Sequence, residues 1–172
     1  MITNQRFIWA ATILDPKPHD NVLEIGCGAG LLVDQIANKL DSGHITAIDR
    51  SAAMIKMASK RNARSISTGK INFVTMNFLN SDFRKHEFDK VASFNVNFFW
   101  KNPEQELKMI KKILKPMGEL YIFYQAPFEI SITAANPVKE NLIKHSFEII
   151  DTIFKKMVPT SAFCVKARPK VD

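Results

Sequence analysis

Cysteine is scarce in this chain, and its scarcity argues against two classes of protein. Cys27 and Cys164 are the only cysteines among 172 residues. Two cysteines are too few for the disulfide framework of a small secreted domain. Neither has metal-ligating residues around it at a spacing that binds zinc. We therefore expect reduced thiols and no metal site.

Long apolar runs are also missing. No uncharged apolar stretch approaches the ~18 residues that a membrane-spanning helix requires. The segment Phe7–Leu14 is apolar and follows Arg6, as in a short secretion signal, but it leads into Asp15 without a small-residue cleavage site. These absences predict a cytoplasmic protein with no membrane span.

Acidic residues are in deficit. The chain has 24 Lys and Arg against 17 Asp and Glu, a formal net charge of +7. Six basic residues and no acid lie in one stretch, Arg50–Lys70: Arg50, Lys56, Lys60, Arg61, Arg64 and Lys70. Such a run can bind nucleic acid, although it is more often a solvated helix face. Nucleic acid is therefore a possible but not a favoured partner.

The length is that of one domain, since typical domains contain about 100–200 residues. We predict a single domain over residues 1–172, in which residues 1–20 form an N-terminal helix or lid and residues 21–172 form the core. No space remains for a separate substrate domain beside a domain that binds a cofactor.

Short apolar runs alternate with helical patterns along the chain. The predicted strands are Val22–Ile25, Ile45–Ile48, Ile71–Val74, Phe88–Phe94, Leu120–Tyr124, Phe147–Ile153 and Ala162–Ala167. The predicted helices are Asn4–Leu14, Leu31–Leu40, Ser51–Asn62, one from Pro103 that includes Leu114 in its apolar stripe and stops at Pro116-Met117-Gly118, and Pro137–His145. This alternation predicts a parallel α/β sheet. The last two strands have no helix between them, so we expect them to be antiparallel.

The first predicted strand ends in a glycine-rich loop, Glu24-Ile25-Gly26-Cys27-Gly28-Ala29-Gly30. Glycine allows positive φ and lets a ligand approach the backbone, and in open α/β sheets ligands bind at this end of the strands. Asp49 follows Gly30 by 19 residues, where a carboxylate can accept hydrogen bonds from ribose hydroxyls. A dinucleotide fingerprint would need glycine at Leu31, and a P-loop would need Gly-Lys-Ser/Thr, so the loop fits neither.

The pattern Glu-x-Gly-x-Gly-x-Gly resembles motif I of the class I S-adenosylmethionine-dependent methyltransferases. Three later stretches resemble landmarks of that family, so the resemblance covers nearly the whole chain. They are Ile45–Ser51, the second strand with its ribose-binding acid; Phe88–Val91, the start of the fourth strand; and Leu114–Leu120, the turn into the fifth. The resemblance implies a Rossmann-like three-layer sandwich with a mostly parallel seven-stranded sheet, order 3-2-1-4-5-7-6, the last strand antiparallel. It also implies S-adenosylmethionine as the cofactor and S-adenosylhomocysteine as the product.

The resemblance further implies which residues hold the cofactor. They are Glu24, Gly26, Cys27, Gly28, Gly30, Asp49, Arg50, Met54, Asn77, Phe78, Asn95 and Val96. In this set Asp49 would hold the ribose hydroxyls, and Asn95 would offer its backbone carbonyl to the methionine amino group. Cys27 is expected to fill space in the loop rather than to act as a nucleophile, since no helper base is visible.

Two positions depart from the family pattern. Asn77 stands where the family commonly has an acid that accepts a hydrogen bond from the adenine amino group. An amide oxygen can accept that bond without charge, so we expect weaker cofactor binding. Met117 replaces a glycine in the turn before the fifth strand, where we expect little functional cost.

The methyl acceptor is less constrained than the cofactor. Methyl transfer requires alignment of the reactants, and a general base only when the acceptor arrives protonated, so we assign no catalytic residue. Side chains near the ends of the fourth and fifth strands and on the N-terminal helix would meet the methyl group, unless these aromatics belong to the core. The candidates for an acceptor pocket are Trp9, Asn97, Trp100, Tyr124 and Phe128.

These residues predict a small, partly apolar acceptor. The short N-terminal segment suggests an open pocket, or one that a second subunit completes in a homodimer. Asn95–Phe98 lacks the prolines found in enzymes that methylate exocyclic nitrogens of nucleic acids. Two alternatives stay open: an RNA or protein methyltransferase that uses the Arg50–Lys70 run, and a non-catalytic protein that binds the cofactor.

Overall fold

A computed structural model describes residues 5–170, which form seven strands and six α-helices. The strands are β1 (Asn21–Ile25), β2 (His44–Asp49), β3 (Ile71–Thr75), β4 (Phe88–Phe94), β5 (Leu114–Gln125), β6 (Phe147–Lys155) and β7 (Ala162–Pro169). The helices are α1 (Gln5–Leu14), α2 (Leu31–Ala37), α3 (Ala52–Arg61), α4 (Ala63–Ser67), α5 (Glu104–Ile113) and α6 (Asn136–Lys144). The predicted start of the first helix, Asn4, lies outside the described residues.

The strands form one sheet in the order β3-β2-β1-β4-β5-β7-β6. Neighbouring strands from β3 to β5 are parallel, and β7 is antiparallel to both β5 and β6. The predicted fold class is therefore confirmed, including the antiparallel last strand. A chain that returns to the sheet without a helical crossover can only pair in this direction over so short a connection.

Helices cover both faces of the sheet and create two cores. On one face α1 and α2 bury Ala10, Leu14, Leu32 and Ile36. On the other face the buried residues of α5 and α6 include Leu107, Ile110, Val138 and Leu142. In each helix these residues are three or four positions apart, so they form one apolar stripe against the strands. Within residues 5–170, no helix is long and apolar enough to cross a membrane.

Two helices end earlier than predicted. Helix α5 ends at Ile113, and Leu114 is extended (φ −68°, ψ 137°) and begins β5 instead of continuing the helical stripe. The residue before a proline avoids the helical region, so Pro116 restricts Lys115. Helix α2 ends at Ala37, because Lys39 and Leu40 donate to carbonyls three residues back and tighten the last turn.

Helix α3 begins as predicted and packs differently. The Ser51 hydroxyl accepts a hydrogen bond from Met54 N at 3.3 Å, which caps the helix. Only Ala58 is buried on this helix, and Met54, which we expected to contact the cofactor, is 37% exposed. The reason is position, since α3 covers β2 and β3 at the edge of the sheet. The five-residue helix α4 was not predicted.

Candidate active site

A cleft of about 480 Å³ lies at the carboxyl ends of β1, β2 and β4. Strand β1 is central, and the chain moves outward from it in one direction to β2 and β3 and in the other to β4. Such a reversal of strand order separates the loops above the sheet and leaves a crevice for a ligand. The cleft is lined by Ile25, Gly26, Ile48, Asp49, Arg50, Met76, Asn77, Phe78, Leu79, Asn95, Val96, Asn97, Phe98, Lys101 and Glu106.

The glycine-rich loop is tied to the neighbouring strand. Gly26 N and Cys27 N both donate to Ile48 O, at 2.8 and 3.0 Å. Gly28 has a φ of +51°, and a Cβ built there would meet nothing within 4 Å, so space for a ligand lies beside its backbone. This open space is compatible with the close ligand approach that the loop sequence predicts.

Gly30 is required for a different reason. A Cβ at Gly30 would lie 2.7 Å from Asn62 Nδ2 and 2.9 Å from Ala58 Cβ, both on the chain of α3 and its end. Asn62 Nδ2 also donates to Gly30 O at 3.1 Å. The structure therefore places Gly30 in the packing between α2 and α3, away from the cleft lining, although we predicted a cofactor contact.

Asp49 joins the loop to the next helix. Its Oδ2 accepts from Gly28 N and its Oδ1 from Ser51 N, each at 2.9 Å. A carboxylate has about four acceptor positions, so about two remain after these bonds. Asp49 lines the cleft and can accept hydrogen bonds from two hydroxyls there.

Glu24 is a buried acid beneath this loop. It is 2% exposed, and its Oε2 has no hydrogen-bond partner. Burial first, and then the charge of Asp49, raise the pKa of the Glu24 carboxyl to about 8. A buried acceptor without a partner is unusual and indicates that a ligand or water completes it.

Cys27 is almost fully buried in the same loop. Burial, with smaller contributions from Glu24 and Asp49, raises the pKa of its thiol. A nucleophilic cysteine needs a lowered pKa and access to substrate. The geometry therefore favours the space-filling interpretation.

Two asparagines at the cleft use their side chains for local structure. Asn95 has a φ of +57°, and its amide both donates to Gln125 O at 3.0 Å and accepts from Gln125 N at 2.9 Å. A cofactor contact from Asn95 therefore falls to its backbone. Asn77 Oδ1 accepts from Leu79 N at 3.1 Å, which leaves one acceptor position on that oxygen.

Comparison with known proteins identifies the family. Residues 23–122 match the family model described as a methyltransferase domain. The chain belongs to the class I S-adenosylmethionine-dependent methyltransferases. It is 26% identical over 165 residues to the uncharacterised methyltransferase YdaC of Bacillus subtilis, a match that covers 93% of this chain and 89% of that protein.

Other relatives are longer than this methyltransferase. The malonyl-[acyl-carrier protein] O-methyltransferase of Priestia megaterium is 33% identical over 103 residues, 58% of this chain but only 34% of that enzyme. Among solved structures, an S-adenosylmethionine-dependent methyltransferase from Aquifex aeolicus superposes with a TM-score of 0.74 at 16% identity, covering 94% of this chain and 88% of that one. At such identity the likeness shows the fold alone.

The methyltransferase has a site that fits S-adenosylmethionine. The unpartnered Oε2 of Glu24, the open space at Gly28 and the free acceptor positions of Asp49 lie around one loop. This cofactor has an ammonium group, a ribose with two hydroxyls and an adenine, so it can complete buried acceptors of this kind. When bound, it supplies a methyl group on a positively charged sulfur.

The structure divides the predicted cofactor residues of the methyltransferase into two groups. Those that line the cleft are Gly26, Asp49, Arg50, Asn77, Phe78, Asn95 and Val96. Those that do not are Glu24, Cys27, Gly28, Gly30 and Met54. Glu24 is buried beneath the loop and Cys27 is buried within it, whereas Met54 is on the exposed side of α3.

The predicted acceptor residues do not share one cavity. Asn97 lines the cleft. Trp100 and Tyr124 pack against each other at 4.6 Å between ring centroids and against Phe163. Trp9 packs edge-on against Phe123, and Phe128 is 63% exposed. Most of these aromatics therefore serve packing, which is the alternative that the sequence left open.

Several cleft residues were not predicted. Met76 and Leu79 flank the predicted pair Asn77 and Phe78, so their place at the end of β3 was the available signal. Phe98 stacks on Phe78 with ring centroids 6.5 Å apart. Lys101 and Glu106 come from the segment after β4, and no local pattern marks them as part of the cleft.

Proposed function

We propose that this methyltransferase transfers a methyl group to a small, partly apolar acceptor at the carboxyl ends of β4 and β5. The observation that carries the proposal is the cleft at the glycine-rich loop, with Asp49 on its wall. The acceptor must reach the methyl group from the side of the cleft that β4 and β5 form. Val96 and Phe98 give that side an apolar surface, and α1 and the loop after β5 are the segments that we propose cover it.

In this proposal the residues of the chain bind the cofactor and orient it toward the acceptor. Asp49 accepts hydrogen bonds from the ribose hydroxyls, and the backbone near Gly28 lies against the methionine part. Glu24 balances the ammonium group. Asn77 and Phe78 contact the adenine, and the Asn77 side-chain oxygen accepts a hydrogen bond from the adenine amino group. Orientation and exclusion of water supply the rate enhancement, since direct displacement requires no covalent enzyme intermediate.

Asp49→Ala tests the cofactor site. We expect affinity for S-adenosylhomocysteine, measured by calorimetry, to fall by about tenfold or more, because two hydrogen bonds to a charged acceptor are lost. Asp49 also holds Gly28 N and Ser51 N, so the melting temperature is measured in parallel, and Asp49→Asn serves as a milder variant. Asp41→Ala, at an exposed acid, is the matched control. Unchanged affinity in both Asp49 variants would refute the ribose assignment.

A further inference from the structure

An arginine of α1 lies beside the proposed acceptor site. Arg6 Nη1 donates to Gln125 Oε1 at 3.3 Å, at the end of β5. The Arg6 Cζ lies 4.6 Å from the centroid of the Phe7 ring and 5.5 Å from that of Phe94, the last residue of β4. The next residue, Asn95, lines the cleft. A cation therefore lies next to the strand ends where an acceptor has to meet the methyl group.

This cation has no counter-ion within the described part of the chain. No carboxylate oxygen of residues 5–170 lies within 4.0 Å of its nitrogens. Its Nε is buried without a hydrogen-bond partner, and burial lowers the pKa of the guanidinium. A guanidinium has five N–H donors, of which Gln125 satisfies one. The aromatic faces compensate only part of the lost hydration.

Two other part-buried cations, Lys90 and Lys166, are paired with carboxylates. Lys90 lies 3.6 Å from a Glu119 oxygen and 4.0 Å from an Asp20 oxygen. Lys166 lies 2.9 Å from the other Glu119 oxygen. These pairs offset the desolvation of each charge. Arg6 has no such carboxylate partner among the described residues, and it lies at the end of β5.

Gln125 holds the guanidinium in place. Its Nε2 donates to Thr160 O at 2.7 Å, which orients its Oε1 toward Arg6. Its backbone N and O are both bonded to the Asn95 amide. The Arg6 position is therefore linked through Gln125 to the residue at the cleft, and a displaced guanidinium would lose this bond.

We propose that Arg6 binds a carboxylate of the methyl acceptor, so that the acceptor is a small apolar acid. A planar guanidinium matches a carboxylate with two parallel hydrogen bonds. The buried rings of Phe7 and Phe94 lie against the guanidinium and help to hold it at the end of β4. The carboxylate is the anchor of the acceptor, and Arg6 acts as a specificity residue. This inference rests on the proposed function, because it takes the carboxyl ends of β4 and β5 as the acceptor side.

The experiment compares acids with their uncharged amides on the protein saturated with S-adenosylhomocysteine. The probes are benzoate against benzamide and hexanoate against hexanamide, titrated by protein NMR. We expect the acids to bind about tenfold or more tightly than the amides, as a charge-assisted hydrogen bond requires. Arg6→Gln should remove this preference and Arg6→Lys should keep part of it. Arg84→Gln, at a highly exposed arginine, should leave it unchanged.

The outcomes separate the two proposals. Absence of S-adenosylhomocysteine binding to the wild-type protein would overturn the proposed function and this inference with it. Normal binding of that compound, with equal or no binding of acids and amides, would overturn the inference alone. An acid preference that survives Arg6→Gln would also overturn it. A lower melting temperature of Arg6→Gln with an unchanged acid preference would show that Arg6 only fastens α1 to the sheet.

Discussion

At the scale of single residues, two acids share the end of the sheet and have opposite environments. Asp49 lines the cleft, and its carboxylate accepts two backbone N–H groups. Glu24 is buried with an unpartnered oxygen and lies within the field of Asp49. Its ionised form is therefore costly until a positive group arrives. The ammonium group of the cofactor is such a group in the proposed function.

The raised pKa of Glu24 predicts a stability that depends on pH. Its pKa rises from an ordinary 4.5 to about 8 in the folded protein. Between these values the native state binds more protons than the unfolded state, so stability falls as pH rises. Glu24→Gln should remove the part of this pH-dependent loss of stability that the Glu24 carboxyl causes. Urea denaturation at several pH values from 5 to about 8 measures it.

The control for this prediction is Glu140→Gln, at an exposed acid of α6. That variant should follow the wild-type pH dependence. If Glu24→Gln and the wild-type protein lose stability in parallel over this range, Glu24 is not protonated in the folded state. The experiment uses the protein without cofactor, because bound cofactor would stabilise the ionised acid.

At the scale of elements, α1 joins the sheet to α2. Ala10 and Leu14 are fully buried on one face of α1, while Ile8 on the other face is 51% exposed. The same helix carries Arg6 to the end of β5. Its packing therefore decides where the proposed carboxylate anchor lies, and a loosened α1 would change the acceptor side of the cleft before the cofactor side.

Leu14→Ala should destabilise the protein by about 2–5 kcal/mol, because it removes buried methyl groups and leaves a cavity between α1 and the sheet. Ile8→Ala on the same helix should change the free energy of unfolding by no more than about 0.5 kcal/mol. Chemical denaturation of both variants provides the comparison. Equal effects would mean that α1 is not packed on the sheet in solution.

At the scale of the whole molecule, the net charge of +7 suggests an anionic partner. The structure gives this suggestion little support, because part of the basic run has a structural role. Two of the six cations in the Arg50–Lys70 run bond to backbone carbonyls, Arg61 Nε to Ala29 O and Lys70 Nζ to Leu40 O. These bonds hold loops next to α2. The other four are Arg50, Lys56, Lys60 and Arg64, and all four are exposed. The run is thus partly structural.

We expect only weak, sequence-independent RNA binding. With four free cations, the logarithm of affinity for a labelled oligouridine should fall with the logarithm of salt concentration with a slope no steeper than about −3. Fluorescence polarisation over a salt series measures it. The double variant Lys60→Gln/Arg64→Gln should make the slope shallower, and Lys108→Gln/Lys112→Gln on α5 is the control. If the wild-type protein methylates RNA and the Lys60→Gln/Arg64→Gln variant does not, the alternative function of an RNA methyltransferase is favoured.

Patterns that are local in sequence were sufficient for much of the fold and part of the site. The alternation of apolar runs predicted a parallel α/β sheet. The glycine spacing and Asp49 after the second strand carried the family resemblance, and that resemblance implied the sheet order and the residues of one wall of the cleft. The missing helix between the last two strands predicted that these two strands are antiparallel. Each of these signals depends on residues close together in the chain, which backbone geometry places without further information.

The tertiary structure decided what depends on contacts between distant elements. Gly30 packs against α3, and the rings of Trp100 and Tyr124 pack against each other and against Phe163 of β7. Lys101 and Glu106 reached the cleft, and Arg6 reached Gln125 across 119 residues of chain. No local sequence pattern predicts such contacts between residues that are far apart in the chain. They follow from how helices of given length pack on a twisted sheet.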